Sequence, residues 1–139
     1  MARKTATIVI EEKNRDAGTR FVVTEMSAAN GSRFAFQIFQ LLAASGLDIN
    51  LKGLGTAEVI RLIMGAINAL HPDQFDQYKA QLMECVQWQS PTDHKTTRKL
   101  MDGDVEEIST VYRLMFEALR LTLGDFFTEI SQLLPKMSI

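Results

Sequence analysis

The sequence predicts a mainly α-helical α+β fold, in which a small N-terminal β-hairpin precedes a helical bundle of about four to five helices. Two runs rich in Val, Ile, Thr and Phe, residues 5–11 and 20–25, lie near the start of the chain, and such residues are typical of strands. Apolar residues then recur at helical spacing in 28–85 and 102–134. A chain of 139 residues is expected to bury one core as a single domain.

The predicted domain, residues 1–139, is divided into segments in chain order. They are the hairpin at 1–26, helices at 27–85, a loop with an extended piece at 86–101, and C-terminal helices at 102–135. Asn14, Asp16 and Gly18 accept turn conformations and lie between the two strand-like runs. Because an isolated hairpin is marginally stable in water, it is expected to pack on the helices or to pair its edge with another chain.

Residues that favour helix ends divide the region after the hairpin. Ser27 is a predicted N-cap, Gly46 is a predicted C-terminal stop, and Thr56 is expected to cap a second helix. Pro72 suits the first turn of a third helix. These signals predict helices at residues 28–45, 57–70 and 72–85. Ser32 is an alternative start for the first of them, because Asn30-Gly31 weakens its first turn.

The region between the third and the last helix is predicted to be largely irregular. Trp88 lies in a short extended piece, and the very polar segment 91–99 is expected to be a loop. The last long helix is expected to begin at Asp102 or Asp104 and to break or bend at Gly124 before a short final helix.

The segment 102–134 carries more apolar residues than one core-facing stripe requires. On a helical wheel, the stripe contains Val105, Ile108, Val111, Tyr112, Met115, Leu119 and Phe126, with Phe116 and Leu123 at its edge. The predicted solvated face contains Glu106, Ser109, Thr110, Arg113, Glu117 and Arg120. Leu114 and Leu121 lie on neither face. We therefore expect a protein-interaction surface made of Leu114, Phe116, Leu121, Phe126 and Phe127.

The predicted helices present more apolar surface than one small core readily covers. The first two have apolar residues around most of their circumference, a pattern typical of central helices. Together with the second apolar row and the free hairpin edge, this excess predicts a homo-oligomer or another protein partner. The seven methionines favour the same interpretation, because flexible thioethers adapt to varied apolar partners.

The charge composition argues against nucleic-acid binding. The chain has 15 basic and 17 acidic residues, whereas non-specific nucleic-acid binding depends on clustered Lys and Arg. No membrane partner is expected either, because no apolar run is long enough to span a bilayer. The single Cys85 and the absence of a signal-peptide pattern after Lys4 favour the cytoplasm.

No residues with catalytic, metal-binding or cofactor-binding spacing are recognisable. His71 and His94 lack a His or Cys partner at ligand spacing. Cys85 has aliphatic neighbours, which favours a buried structural thiol over a nucleophile. No glycine-rich loop follows a buried strand, as a phosphate or dinucleotide site requires. The sequence therefore predicts no enzyme, no metal and no cofactor.

Two long stretches resemble the tail assembly chaperones of long-tailed bacteriophages and prophages. They are RKTATIVIEEKNRDAGTRFVVTEMSAA and TTRKLMDGDVEEISTVYRLMFEALRLTLG. In that family, a strand-turn-strand ending in Thr-Glu-Met precedes an aliphatic helix, and an Arg-rooted loop leads into an acidic helix start with an apolar continuation. Ser27 and Lys99 depart from the family by standing where proline is expected.

The resemblance implies a non-enzymatic protein of the bacterial host cytoplasm that is absent from the mature virion. Such chaperones bind and solubilise the aggregation-prone tape measure protein during tail assembly, multimerise, and are displaced as the tail tube protein polymerises. They are commonly made in two forms by a programmed frameshift, and this chain is expected to be the shorter one. Recognition of the helical tape measure protein is expected to use a helix-in-groove contact.

A small α-rich DNA-binding or regulatory protein is the alternative prediction. Its mark is a recognition helix carrying several Lys or Arg residues on one face. No predicted helix carries more than two such exposed residues, so the chaperone prediction is preferred.

Overall fold

The computed structural model describes residues 3–45, 55–127 and 129, and its architecture confirms the α+β fold class. In chain order the elements are β1 (Thr5–Val9), β2 (Arg20–Thr24), α1 (Ala28–Ala44), α2 (Thr56–Asn68), α3 (Pro72–Met83), β3 (Val86–Gln89), β4 (Thr97–Lys99), a one-turn 3₁₀ helix (Asp102–Asp104) and α4 (Ile108–Leu123). The predicted bundle is thus represented by four α-helices in this part of the chain.

The strands form one antiparallel sheet in the order β1-β2-β3-β4, so the predicted hairpin is part of a larger sheet. The prediction of a loop across residues 91–99 is wrong in part, because β4 occupies Thr97–Lys99. Three residues with two basic side chains carry little strand propensity. Pairing with the neighbouring strand β3 makes them extended. The Arg98 guanidinium also lies over the ring of Trp88 on β3, 4.2 Å from its centre, and this cation–π contact favours the pairing.

The predicted turn residues shape the connection between β1 and β2. The Asn14 side chain accepts a hydrogen bond from the Asp16 backbone N–H over 2.9 Å. Gly18 has a φ of +83°, a left-handed conformation that residues with a side chain rarely adopt. Its N–H donates to the Ile10 carbonyl over 2.8 Å. These contacts fix the backbone on both sides of Asp16.

The long C-terminal helix, α4, is central to the fold. It packs against β2 and against α1, α2 and α3. Alternate residues of the strands enter the core, namely Ile8, Phe21, Val23 and Val86. The helices contribute Phe34, Ile38, Ile60, Ile63, Leu82, Leu114, Met115 and Leu119. The period of two along the strands therefore buries one face of the sheet against the helices.

The N-termini of α1 and α3 agree with the sequence, whereas that of α2 does not. Ser27 caps α1, and its hydroxyl accepts a backbone N–H of the first turn over 3.2 Å. Pro72 occupies the first turn of α3. The prediction that Thr56 is a cap is wrong, because Gly55 is the N-cap of α2. The Thr56 hydroxyl instead donates to the Gly124 carbonyl over 3.2 Å, which links α2 to the end of α4.

The start of α4 is later than predicted, at Ile108 and not within Asp102–Asp104. The contacts of the Asp104 carboxylate explain the difference. It accepts two hydrogen bonds from the Arg98 guanidinium, over 2.7 and 2.8 Å, and one from the Met101 N–H over 2.7 Å. These hydrogen bonds link the 3₁₀ turn that contains Asp104 to Arg98 of β4. The Asp104 carboxylate is therefore not available to cap the N-terminus of α4.

The end of α4 agrees with the sequence. The helix runs to Leu123, and Gly124 follows where a break was expected. The predicted stop at Gly46 and most of the predicted final helix, up to residue 135, lie outside the described residues.

Candidate protein-binding surface

The turn between β1 and β2 is hydrogen-bonded to the residues that lead into α4. The Asp16 residue is 1% exposed, and its carboxylate accepts hydrogen bonds from the backbone N–H groups of Glu106 and Glu107, each over 2.9 Å. The Thr110 hydroxyl bonds to the same carboxylate. This negative group lies at the N-terminal, positive end of the helix, where it is stabilised. The face of α4 that carries Thr110 is therefore drawn toward the core.

Electrostatics support this arrangement. Burial is the largest influence on the Asp16 carboxyl and raises its pKa. The hydrogen bonds that it accepts and the positive charge of Arg15 together outweigh burial, so the pKa is lowered from its ordinary value. Two ion pairs flank the contact. Arg15 Nε lies 2.6 Å from Glu107 Oε1, and Arg113 Nη1 lies 3.0 Å from Glu12 Oε1. Such exposed pairs contribute orientation more than stability.

Leu114 lies in the core, so the prediction that it belongs to an uncovered apolar row is wrong. Its side chain is 0% exposed. Thr110, Leu114 and Ala118 are spaced four residues apart on the buried face of α4. The helical wheel placed Thr110 on the solvated face because of its polar neighbours. It contained no information about the buried carboxylate of Asp16 that binds the hydroxyl.

The same rotation exposes residues that the sequence placed in the core stripe. Ile108 is 77% exposed and Tyr112 is 38% exposed. They are four residues apart and therefore lie on one side of α4. The stripe prediction is correct for Met115 and Leu119, which are both fully buried.

The other predicted interaction residues do not share one exposed patch. Phe127 is buried in the core, whereas Phe116, Leu121 and Phe126 are half-buried beside it. Phe126 and Phe127 both pack edge-on against Phe39 of α1, with ring centres 5.9 and 5.4 Å apart. This pair therefore holds the segment after α4 against α1.

A groove of about 760 Å³ lies between α3, β3 and the segment that joins β4 to α4; we call it the α3–α4 groove. Its apolar lining includes Met83, Val86, Leu100, Met101, Val105 and Val111. Met101 is 63% exposed. The charged residues that line the groove are Lys79, Glu84, Lys99 and Asp102. Because both signs are present in equal number, the groove favours no ligand of one charge.

The apolar surface continues from the α3–α4 groove along the exposed side of α4. Val111 lines the groove, and Ile108 lies one turn before it on the same helix. The ring centre of Tyr112 is 6.4 Å from that of Phe75 on α3. Exposed and half-buried apolar side chains therefore follow one another from Met101 to Phe75. A surface of this kind is typical of protein interaction sites.

Two errors in the prediction hid this surface. A start at Asp102 or Asp104 placed Val105 inside the helix, and the helical wheel assigned Ile108 to the core face, an assignment that does not depend on where the helix begins. The available signal was the Asp102-Gly103 pair, because Asp-Gly marks a turn. A later start removes Val105 from the helix, but the rotation of α4 still depends on tertiary contacts, among them those of Asp16.

Cys85 is a free and buried thiol, as predicted. Burial raises its pKa from 9.0 to about 11. We expect iodoacetamide at pH 8 to alkylate Cys85 at least about a hundredfold more slowly in the folded protein than in urea, because two pKa units separate the thiolate populations. Mass spectrometry of the intact chain measures both rates, and equal rates contradict the burial of this thiol.

Ligand chemistry is sparse in the described part of the chain. Within residues 3–45, 55–127 and 129, no three His, Cys, Asp or Glu side chains are grouped as metal ligands. None of the helices described there is long and apolar enough to cross a membrane.

The fold and the α3–α4 groove define a class of protein, a small α+β domain whose exposed apolar surface suits the binding of another protein. A model of the phage tail assembly chaperone protein (TAC) family matches residues 17–135, so the chain belongs to that family. The comparisons with curated proteins and with solved structures gave no match. The family confirms the resemblance seen in the sequence. Membership in this family supports a general chaperone role in tail assembly and an interaction with tail proteins.

Proposed function

We propose that this chain self-associates and binds the tail tape measure protein, which it keeps soluble in the cytoplasm of the bacterial host until the tail tube protein polymerises. It is not expected in the mature virion. The family membership supports the general role. The observation that carries the specific proposal is the α3–α4 groove with the adjoining exposed side of α4.

The groove has the chemistry that an apolar helical stripe requires. A helix that docks in a groove inserts side chains spaced three and four residues apart into an apolar lining. Met83 and Met101 line this groove, and their unbranched thioethers can adapt to side chains of different shape. Ile108 and Tyr112 extend the contact along α4. The tape measure protein is the expected client because long apolar helices need cover before assembly.

The alternative of a DNA-binding protein finds no support in the basic residues. In the part of the chain that the structure describes, five basic side chains are in ion pairs with carboxylates, namely Lys4, Arg15, Arg98, Arg113 and Arg120. A paired cation neutralises a phosphate less effectively than a free one. We therefore retain the chaperone proposal alone.

Charges in the groove and on the adjoining exposed side of α4 are expected to reduce client binding without unfolding the chaperone. Met101→Glu combined with Ile108→Glu should lower the soluble yield of the co-expressed tape measure protein by about tenfold, because burying a carboxylate against an apolar stripe is unfavourable. Both side chains are exposed, so the melting temperature should change little. The soluble client is measured by quantitative immunoblot of the cleared lysate.

The matched control is Phe36→Glu. Phe36 is 60% exposed on α1 and does not line the α3–α4 groove. It should leave client yield near the wild-type value. An unchanged yield with the groove double variant, or an equal loss with Phe36→Glu, contradicts the groove as the client site.

Only some of the interaction residues predicted from the sequence remain in this proposal. Leu114 and Phe127 are buried in the core and are no longer proposed. Phe116, Leu121 and Phe126 remain proposed contact residues because each is only half-buried.

A further inference from the structure

β1 forms one edge of the sheet, and in the described part of the chain β2 is its only strand partner. Ile10 donates to Thr19, and Glu25 donates to Lys4, so even-numbered residues direct their backbone groups toward β2. In an antiparallel ladder the intervening residues direct their N–H and C=O groups the other way. The residues that face the open edge are therefore Thr5, Thr7 and Val9.

The two edges of the sheet differ in how well they are protected. β4 is only three residues long and carries Arg98 and Lys99, and short, positively charged edge strands resist pairing. β1 has five residues, TATIV, with no proline and no charge. Its side chains are of the β-branched type that favours strand pairing, apart from Ala6. The β1 edge is therefore the one that is open to another strand.

We propose that β1 pairs with β1 of a second copy of this chain, antiparallel and about a two-fold axis at Thr7, so that the two sheets become continuous. This inference rests on the self-association in the proposed function and specifies the contact that produces it. The family match begins at residue 17, so β1 lies outside it and the inference depends on this strand alone.

The residues of β1 and its flanks complement themselves in this register. Thr7 lies opposite its own copy, Thr5 lies opposite Val9, and Arg3 lies opposite Glu11. Arg3 and Glu11 are both exposed, and the two-fold axis creates this pair twice. Cross-strand pairs of opposite charge and of β-branched residues are each stabilising.

The alternative registers lack this complementarity. A shift of two residues in one direction places Arg3 opposite Val9, and a shift in the other places Arg3 opposite Lys13. The first loses the charge pair, and the second sets two positive charges against each other. The charge pattern of the strand therefore favours a second copy of the chain in one register.

Proline at the edge tests the strand contact. Thr7→Pro removes an N–H that faces outward and leaves the hydrogen bonds between β1 and β2 intact. The two-fold axis means that one intersubunit hydrogen bond is lost from each copy. The dissociation constant of the dimer, measured by sedimentation equilibrium, should therefore rise by at least about tenfold.

Thr97→Pro is the matched control. Ser90 donates to the Thr96 carbonyl, so the N–H of Thr97 also faces outward, on the opposite edge of the sheet. This variant should associate like the wild type. Equal association by Thr7→Pro, Thr97→Pro and wild type overturns the proposal, as does a wild type that is monomeric at all concentrations.

Charge reversal tests the register. Arg3→Glu alone and Glu11→Arg alone should each raise the dissociation constant by about fivefold, because each sets like charges opposite one another at two places. The double variant restores both pairs and should return to within about twofold of wild type. Absence of rescue overturns the two-fold register.

The outcome for the client separates this inference from the proposed function. The Thr7→Pro monomer keeps the α3–α4 groove, so this variant should still solubilise the tape measure protein. The groove variant keeps the β1 edge, so it should still self-associate. If Thr7→Pro associates normally but loses the client, the edge binds an extended client segment and the inference is wrong. If the groove variant alone loses the client, the client-binding part of the proposed function holds whatever the fate of the edge.

Discussion

Leu114→Ala is expected to lower the free energy of unfolding by about 3 kcal/mol, because it removes buried methyl groups and leaves a cavity beneath α4. The side chain is 0% exposed and belongs to the main core cluster. Urea denaturation followed by circular dichroism measures the change. The same substitution on an exposed face changes the stability far less, so this variant distinguishes a core position from an interaction surface.

Ile108→Ala provides the comparison. Ile108 is on the same helix but is 77% exposed, so its truncation should change the free energy of unfolding by no more than about 0.5 kcal/mol. A larger loss from Ile108→Ala than from Leu114→Ala contradicts the rotation of α4 that buries Leu114 and exposes Ile108. It supports the rotation that the helical wheel predicted.

Asp16→Asn is expected to lower the free energy of unfolding by about 3 kcal/mol at pH 7, since a buried charged acceptor is lost. The asparagine amide has only one acceptor oxygen, whereas both carboxylate oxygens accept a backbone N–H, from Glu106 and from Glu107. The NH₂ group therefore faces one of these N–H groups, donor against donor, and one hydrogen bond is lost. Asp93→Asn is the matched control. The Asp93 carboxylate also accepts hydrogen bonds, from Lys95 and Thr96, but it is exposed and its loss should matter much less.

The pH dependence of stability should identify the same group. The pKa of Asp16 is lowered by folding, so its contribution is complete above the ordinary aspartate pKa of about 3.9 and is lost as the pH falls through the folded value. The wild type should therefore lose stability more steeply below about pH 4 than Asp16→Asn. Asp104 and Glu107 also have lowered pKa values, so some acid sensitivity remains in both. Identical slopes contradict the role of Asp16.

The elements predicted correctly are those whose signals are local. The strand residues, the Ser27 cap, the Pro72 helix start and the Gly124 break each act within a few positions of the chain. β4 was missed because its conformation depends on Trp88 and β3 and not on its own three residues. The late start of α4 was missed for a similar reason, because Asp104 binds Arg98.

The candidate site was harder to predict than the fold. The excess of apolar residues was visible in the sequence, but the residues that the core covers could not be identified from it. Leu114 and Phe127 were predicted to be in contact with partners and are in the core. Ile108 was predicted in the core and is exposed. The composition of a helix reveals how much apolar surface it has, whereas its neighbours decide which part is covered.

The amino-acid sequence was sufficient for the α+β class, for the order of most elements and for the resemblance to the tail assembly chaperones. These conclusions depend on composition, on periodicity and on short motifs. The rotation of α4, and with it the α3–α4 groove, is set by tertiary contacts, among them the hydrogen bond between Asp16 and the backbone of Glu106, which are separated by 90 residues. No pattern within the helix encodes a hydrogen-bond partner so far away along the chain, and only the folded arrangement brings the two together.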